Sequence, residues 1–109
     1  MQVKVYHTAF EETPVHIATV DTPCAVHEEA CEYAYRWTQN IMDSWSMKMP
    51  QDGNDAVTVV KPLHKDEQGK AWGHRSTSVG DYMRVGGELY RVAGCGFEDA
   101  EAVVCGKTF

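Results

Sequence analysis

The sequence predicts an α+β domain in which one amphipathic helix packs on a small, mainly antiparallel, curled sheet of four to five strands. Residues 23–42 repeat apolar side chains at three- and four-residue spacing, which is typical of one face of a helix. The segments on both sides of that stretch are short. They alternate apolar with polar residues or are rich in valine and threonine, as strands are. A small barrel is the alternative architecture.

The first two predicted strands precede the helix. Residues 2–10, QVKVYHTAF, begin with valines that alternate with polar neighbours. Residues 15–20, VHIATV, form a second β-branched segment, which enters a turn at Asp21 and Thr22. Pro14 lies between the two segments and limits strand pairing at that point.

The predicted helix begins at Pro23 and ends near Asn40 or Met42. Thr22 is a favourable N-cap residue, and proline suits the first helical position because its missing N–H is not needed there. Tyr35 falls outside the predicted apolar face. That face consists of Val26, Ala30, Tyr33, Ala34, Trp37 and Ile41.

The remaining predicted strands follow the helix. Residues 56–61, AVTVVK, have the β-branched character of a buried strand. Residues 81–85 and 88–93 flank Gly86-Gly87, a two-residue turn of the I′ or II′ kind, and predict a hairpin. This hairpin is the clearest local signal in the chain.

Two segments have less definite predictions. The charged segment 63–74, LHKDEQGKAWGH, is a hairpin or a loop, because glycines interrupt it and no apolar period runs through it. Residues 100–109 are an edge strand or a tail. The length of 109 residues fits a single domain, 1–109.

The composition is that of an acidic globular chain. Apolar residues make up 43% and charged residues 24%, and 10 basic against 16 acidic residues give a net charge of −6. Proteins that grip phosphate backbones carry clustered basic residues, so this charge disfavours nucleic acid as the main partner. We see no secretory signal and no run of the ~18 apolar residues that a membrane span needs, so we expect a cytoplasmic protein without a membrane partner.

The four cysteines show no CxxC or zinc-finger spacing. Their even number permits two disulfides, but the expected cytoplasmic setting favours free thiols. Cys95 lies between two glycines and is a candidate nucleophile if its pKa is lowered, although a small cysteine is more often inert. We therefore predict no enzyme activity and no cofactor.

The segment RSTSVGD is the main candidate site. Arg75 is followed by the hydroxyls of Ser76, Thr77 and Ser78, and His74 precedes it, so the loop could bind an anion. The alternative is a turn that leads into a strand, with the hydroxyls satisfying backbone groups. We favour the turn, because the segment lacks the spacing of a P-loop and a strand follows instead of a helix.

Two tryptophans and a group of loop residues are further candidates. Trp45 and Trp72 lie in predicted loops, where they cap the core or anchor a partner; core capping is favoured. His64 and His74, with Asp66 and Glu67 nearby, could be drawn as a metal site. Their spacing matches no known signature, so we predict no metal.

Several short motifs carry a resemblance to a known group of proteins. They are TQN-IMDSW, AVTVV, RSTSVGD and YRVAGCGFE. Together they cover about residues 32–98 and resemble a group of short, uncharacterised proteins encoded by bacteriophages and other mobile elements. The resemblance implies an accessory protein in the cytoplasm of a bacterial host. The matching positions are Thr38, Asn40, Ile41, Ser44, Trp45, Val57, Thr58, Arg75, Ser76, Thr77, Ser78, Val79, Gly80, Asp81, Tyr90, Val92, Ala93, Gly96, Phe97 and Glu98.

The sequence and the resemblance together favour a non-enzymatic binding module that acts on a host protein. The candidate contact residues are Trp45, Trp72 and His74, with Arg75 and the hydroxyls at 76–78. The alternatives are a nucleic-acid-associated protein that uses the Arg75 loop and a minor virion component. A free edge strand would also allow a homodimer, although no residue requires one.

Overall fold

The α+β prediction is confirmed in the computed structural model, which describes residues 1–11, 13–40, 45–46, 56–94 and 96–99. These ranges contain one helix and eight strands. The elements are β1 (Gln2–His7), β2 (Val15–Asp21), α1 (His27–Trp37), β3 (Val57–Val59), β4 (His64–Lys65), β5 (Ala71–Trp72), β6 (Tyr82–Val85), β7 (Glu88–Ala93) and β8 (Gly96–Asp99). The predicted edge strand or tail at 100–109 lies outside the described residues.

The main sheet has six strands in the order β3-β2-β1-β6-β7-β8, and all of its pairings are antiparallel. The prediction of four to five strands was therefore too low. The barrel alternative is also wrong, because β3 and β8 end the sheet on opposite sides and it is not closed. A separate two-stranded sheet pairs β4 with β5, so the charged segment forms a hairpin.

The core lies between one face of the sheet and α1. Val3 pairs with Val85, and Val5 pairs with Met83, so these fully buried side chains point to the same face. The helix contributes small buried side chains to that face: Ala30, Cys31 and Ala34. Small residues let the helix approach the sheet closely, which places its C-terminal end beside the RSTSVGD segment.

The predicted start of the helix is wrong. Helix α1 begins at His27, and its N-cap residue is Val26, whose side chain makes no capping hydrogen bond. Thr22 follows the last β1–β2 pair, Gln2–Asp21, and its backbone N–H donates to the Met1 carbonyl at 2.8 Å while its carbonyl accepts from the Met1 amino group. Its hydroxyl accepts the Cys24 N–H at 3.3 Å, but the chain does not become helical until His27.

Tyr35 also departs from the prediction. It was expected outside the apolar face, but it is partly buried against the core and meets the Phe97 ring of β8 at 6.4 Å in an edge-to-face contact.

Among the described residues, no helix is long and apolar enough to cross a membrane.

The predicted hairpin at 81–93 is confirmed as β6 and β7. Gly86 and Gly87 have φ values of +56° and +87°, and two positive values in succession are characteristic of a type I′ turn. This turn matches the twist of the two strands and fixes their register, with Val85 opposite Glu88.

Candidate functional site

Arg75 is the centre of the predicted site, and its guanidinium is bound by two carboxylates. Nη1 and Nη2 donate to the two oxygens of Asp81 at 2.7 and 2.8 Å. Nε and Nη2 donate to the two oxygens of Glu11 at 3.1 and 2.9 Å. The hydrogen bond from Arg75 is the main cause that lowers the pKa of Glu11. Both edges of the guanidinium are thus directed to protein acceptors, which is a strong paired geometry.

Asp81 connects three parts of the chain and is completely buried. Besides Arg75, its carboxylate accepts the backbone N–H groups of Thr8, Ala9 and Ser78 at 2.8, 3.0 and 2.7 Å. Burial raises the pKa of Asp81, but the hydrogen bonds from Arg75 and these amides outweigh it and hold the pKa below its usual value. Asp81 therefore stays charged and fastens the end of β1 to the loop before β6.

His7 and Thr77 form a buried pair beside this carboxylate. His7 Nε2 lies 3.0 Å from Thr77 Oγ1 and 4.0 Å from Asp81 Oδ2. Burial lowers the pKa of His7 to about 4, so the imidazole is neutral near neutral pH. In a hydrolase triad the carboxylate binds the nitrogen opposite the one that contacts the hydroxyl. Here both groups face the same nitrogen, so we assign the pair a structural role.

The hydroxyl loop is attached to the C-terminal end of α1. Ser76 Oγ accepts the Asn40 N–H at 2.7 Å, the Thr77 N–H donates to the Thr38 carbonyl at 3.0 Å, and the Gln39 amide donates to the Thr77 carbonyl. The last carbonyls of a helix have no N–H partner within the helix, and the Thr77 N–H supplies such a partner to the Thr38 carbonyl. The predicted turn of RSTSVGD is present at the end of this segment, where the Asp81 N–H donates to the Ser78 carbonyl at 3.0 Å before β6 begins.

Trp45 is buried, which does not fit the exposed side chain that a partner anchor needs. Its exposed fraction is 3%, and its indole N–H donates to the Arg75 carbonyl at 2.9 Å. The ring lies 6.3 Å from the His7 ring and 6.0 Å from the His74 ring. The core-capping alternative describes Trp45, because the ring closes the core beneath the RSTSVGD segment.

Trp72 has the opposite environment. It lies on β5, its exposed fraction is 52%, and its indole N–H donates to Asp66 at 3.2 Å. The Lys70 ammonium is 4.6 Å from the centre of the indole ring, which is a cation–π distance. Asp66 also accepts the backbone N–H groups of Gln68 and Lys70, so it organises the turn of this hairpin.

A groove lies next to the Arg75 cluster, and we call it the β2–β4 groove. Its volume is about 460 Å³, within the usual range of small binding sites. Val15, Ile17 and Pro62 supply an apolar floor, and the polar lining residues stand around it. Those polar residues are Glu11, Lys61, His64 and His74. The His74 Nε2 lies 2.7 Å from the Lys61 carbonyl, which holds one wall of the groove.

The structure separates the predicted site residues into two groups. Arg75, Ser76, Thr77 and Ser78 belong to the internal hydrogen-bond network, whereas His74 lines the groove and Trp72 is exposed near it. The Cys95 hypothesis lies outside the described residues. Elsewhere, Cys31 is buried, and burial raises the pKa of its thiol to about 12.

Sequence reasoning missed the residues that complete the site. Glu11 and His7 lie 64 and 70 residues from their partners Arg75 and Thr77, so no local spacing connects them. No group of three or more His, Cys, Asp or Glu side chains in the described part of the chain could hold a metal ion. His64, His74, Asp66 and Glu67 accordingly form no such group.

No family model, no curated protein and no solved structure matches this chain.

Proposed function

We propose that this protein is a non-enzymatic binding module, an accessory protein of a bacteriophage or other mobile element that acts on a host protein. The observation that carries the binding role is the β2–β4 groove with the exposed Trp72 on the adjoining hairpin. The bacteriophage setting is what the resemblance of the RSTSVGD and YRVAGCGFE motifs implies. Tryptophan is enriched among the residues that dominate protein interfaces, because it buries a large area at a low entropic cost.

The arrangement of polar groups supports binding through this face. Arg75 donates to Asp81 and to the Ser76 carbonyl, and Asp81 accepts the Ser78 N–H, so they stabilise the loop that follows His74 in the groove lining. A rigid wall lowers the entropy cost of binding a partner. Phe10, exposed by 77% and stacked 4.9 Å from the Arg75 guanidinium, adds an apolar contact next to Glu11.

The test is an affinity capture of the tagged protein from a bacterial host lysate, with and without nuclease, identified by mass spectrometry. We expect one dominant protein that survives nuclease and is recovered about tenfold less with Trp72→Ala. The control is Val26→Ala, since Val26 is 56% exposed, is the N-cap residue of α1 and is not a lining residue of the groove. Equal recovery with both variants, or no specific partner, would contradict the proposal.

The second candidate is a nucleic-acid-associated protein, and one observation favours it. The hairpin combines an exposed tryptophan with Lys65 and Lys70, and single-stranded nucleic acid binds where aromatic side chains lie among basic ones. This candidate would use the hairpin in place of Arg75, whose donors are occupied. Loss of every captured partner on nuclease treatment would favour it, and binding to DNA and RNA that ignores salt concentration would remove it.

A further inference from the structure

The register of the β4–β5 hairpin decides which of its side chains face the groove. His64 pairs directly with Trp72, and Lys65 pairs with Ala71. Paired residues of an antiparallel ladder point to the same face, and neighbours along a strand point to opposite faces. Because His64 lines the groove, Trp72 belongs to the groove side of the hairpin and Lys65 to the other side.

The charge around the groove differs from that of the rest of the chain. Residues 61–75 contain four basic and two acidic side chains, a net charge of +2, whereas the remainder contains six basic and fourteen acidic side chains, a net charge of −8. Glu11 lines the groove and shares Arg75 with the buried Asp81, so these three side chains together carry one net negative charge. Among the described residues, Lys61 in the groove lining and Lys70, whose ammonium lies over Trp72, are exposed cations on the groove side.

From this placement we infer that the β2–β4 groove binds an acidic segment of a partner protein that carries a large apolar side chain. This inference rests on the proposed function and adds the chemistry of the partner. The apolar side chain would lie on Val15, Ile17 and Pro62, and the Trp72 ring would cover it. Carboxylates on either side of it would pair with Lys61 and Lys70. Complementary charges of this kind select the partner and speed the encounter.

The floor of the groove favours a peptide over a nucleic acid. Aliphatic side chains such as Val15 and Ile17 accept an apolar side chain, whereas single-stranded nucleic acid needs aromatic platforms for successive bases. Trp72 is the exposed aromatic residue of the hairpin, and the Lys70 ammonium lies over its ring. The strongest cation nearby, Arg75, is already paired with Glu11 and Asp81.

The test measures the fluorescence anisotropy of labelled probes with the full chain. The probes are a short Asp/Glu peptide with a central leucine, the same peptide with a central glycine, a Lys/Arg peptide with a central leucine, and an oligothymidylate. We expect the acidic leucine peptide to bind at least about fivefold more tightly than the other three, because it alone combines the apolar anchor with the complementary charge.

Charge reversal on the two sides of the hairpin provides matched variants. Lys61→Glu and Lys70→Glu should each weaken binding of the acidic leucine peptide by about threefold to tenfold, and Trp72→Ala by about tenfold. Lys65→Glu makes the same charge change on the opposite side of the hairpin and should alter binding less than about twofold. All four residues are exposed, so circular dichroism should show each variant folded.

Three outcomes would overturn the inference. They are equal effects of Lys61→Glu and Lys65→Glu, tighter binding of the oligothymidylate than of the acidic peptide, and self-association in sedimentation that Lys61→Glu abolishes. The last two would assign the surface to nucleic acid and to a second copy of this chain. If no peptide binds but lysate capture still yields a protein that Trp72→Ala loses, the proposed function stands and the acidic-segment inference fails.

Discussion

Asp81 shows at the residue scale how a buried charge can stabilise this fold. Its carboxylate is fully buried and accepts hydrogen bonds from the Arg75 guanidinium and from three backbone N–H groups. An asparagine has the same shape, but it loses the charge and places an N–H₂ group against those donors. We expect Asp81→Asn to lower the free energy of unfolding by about 3 kcal/mol, because Arg75 loses its buried partner.

Urea denaturation of Asp81→Asn measures this loss of free energy of unfolding, and Glu98→Gln is the matched control. Glu98 also pairs with an arginine, Arg91, at 3.4 Å, but its side chain is 60% exposed. Solvent screens such a pair, so Glu98→Gln should cost less than about 0.5 kcal/mol. Similar costs for the two variants would show that the Arg75 cluster does not stabilise the fold.

His7 makes the stability of the protein depend on pH. Burial lowers its pKa to about 4 in the folded state, below the 6.5 of an unperturbed histidine. As the pH falls from 6.5 to 4, the unfolded chain binds a proton that the folded chain does not. The contribution of His7 is therefore fully present above pH 6.5 and is lost toward pH 4. Glu11 and Asp81, whose pKa values are also lowered, cause a further loss at more acid pH.

Urea denaturation of His7→Gln between pH 7 and pH 4 tests this effect. Between pH 7 and pH 4, the free energy of unfolding of the variant should fall by about 3 kcal/mol less than that of the unsubstituted chain. Thr77→Val is the control: it removes the hydroxyl that lies 3.0 Å from His7 but keeps the imidazole buried, so the pH dependence should remain. An unchanged pH dependence in His7→Gln would refute the assignment to His7.

At the scale of elements, the β6–β7 turn and the start of α1 are coupled through Gly86. A Cβ at this position would lie 3.0 Å from His27 Nε2, whereas a Cβ at Gly87 would meet nothing within 4 Å. Both glycines have positive φ, so either alanine substitution costs about 1–2 kcal/mol in backbone strain. Gly86→Ala should cost about 1 kcal/mol more, because His27 must move and weaken its 2.8 Å contact with the Tyr90 hydroxyl.

A double-mutant cycle measures that coupling. In a His27→Ala background, Gly86→Ala should lose its extra cost, while the cost of Gly87→Ala should stay the same. The readout is the free energy of unfolding of the single and double variants. If Gly86→Ala lowers the free energy of unfolding equally with and without His27, backbone strain alone explains its effect and the coupling is absent.

The elements that could be predicted from the sequence are those with local signals. The β6–β7 hairpin follows from Gly86-Gly87. The spacing of apolar residues located the helix, but Val26 of the predicted face precedes it and is 56% exposed. Strand β8 was missed because Gly96–Asp99 has no alternation of its own and becomes a strand through pairing with β7. The helix start was misplaced because Thr22 has capping chemistry, but its backbone is bonded to Met1 just beyond the end of β2 and the helix begins only at His27.

At the scale of the whole molecule, the candidate site depends on contacts between distant segments. The residue types around Arg75 could be named from the sequence, but their roles could not. The carboxylates that bind Arg75 come from Glu11, before β2, and from Asp81, just before β6. Two of the apolar groove residues, Val15 and Ile17, come from β2, whereas Pro62, Lys61 and His64 lie in or just before β4. Such neighbours are set by strand order in the sheet, which has no signature in local spacing.

Because the sheet joins β1 and β2 to β6, β7 and β8, which lie far apart in the sequence, we expect the helix–sheet core to open only with the whole fold. Cys31 reports on that opening: it is fully buried between α1 and the sheet. Burial first, and then the charges of Glu28 and Glu32, raise the pKa of its thiol to about 12. The folded chain therefore offers neither access nor a thiolate to an alkylating reagent.

A chain in which Cys24, Cys95 and Cys105 are replaced by serine isolates the Cys31 signal. Its alkylation by iodoacetamide should be limited by unfolding, so Asp81→Asn should speed it about 100-fold, in proportion to its loss of about 3 kcal/mol. Glu98→Gln should leave the rate within about threefold of the unsubstituted chain. Equal alkylation rates of Cys31 with and without Asp81→Asn would mean that α1 detaches locally from the sheet. The Arg75 cluster would then stabilise a part of the molecule that opens independently of the helix.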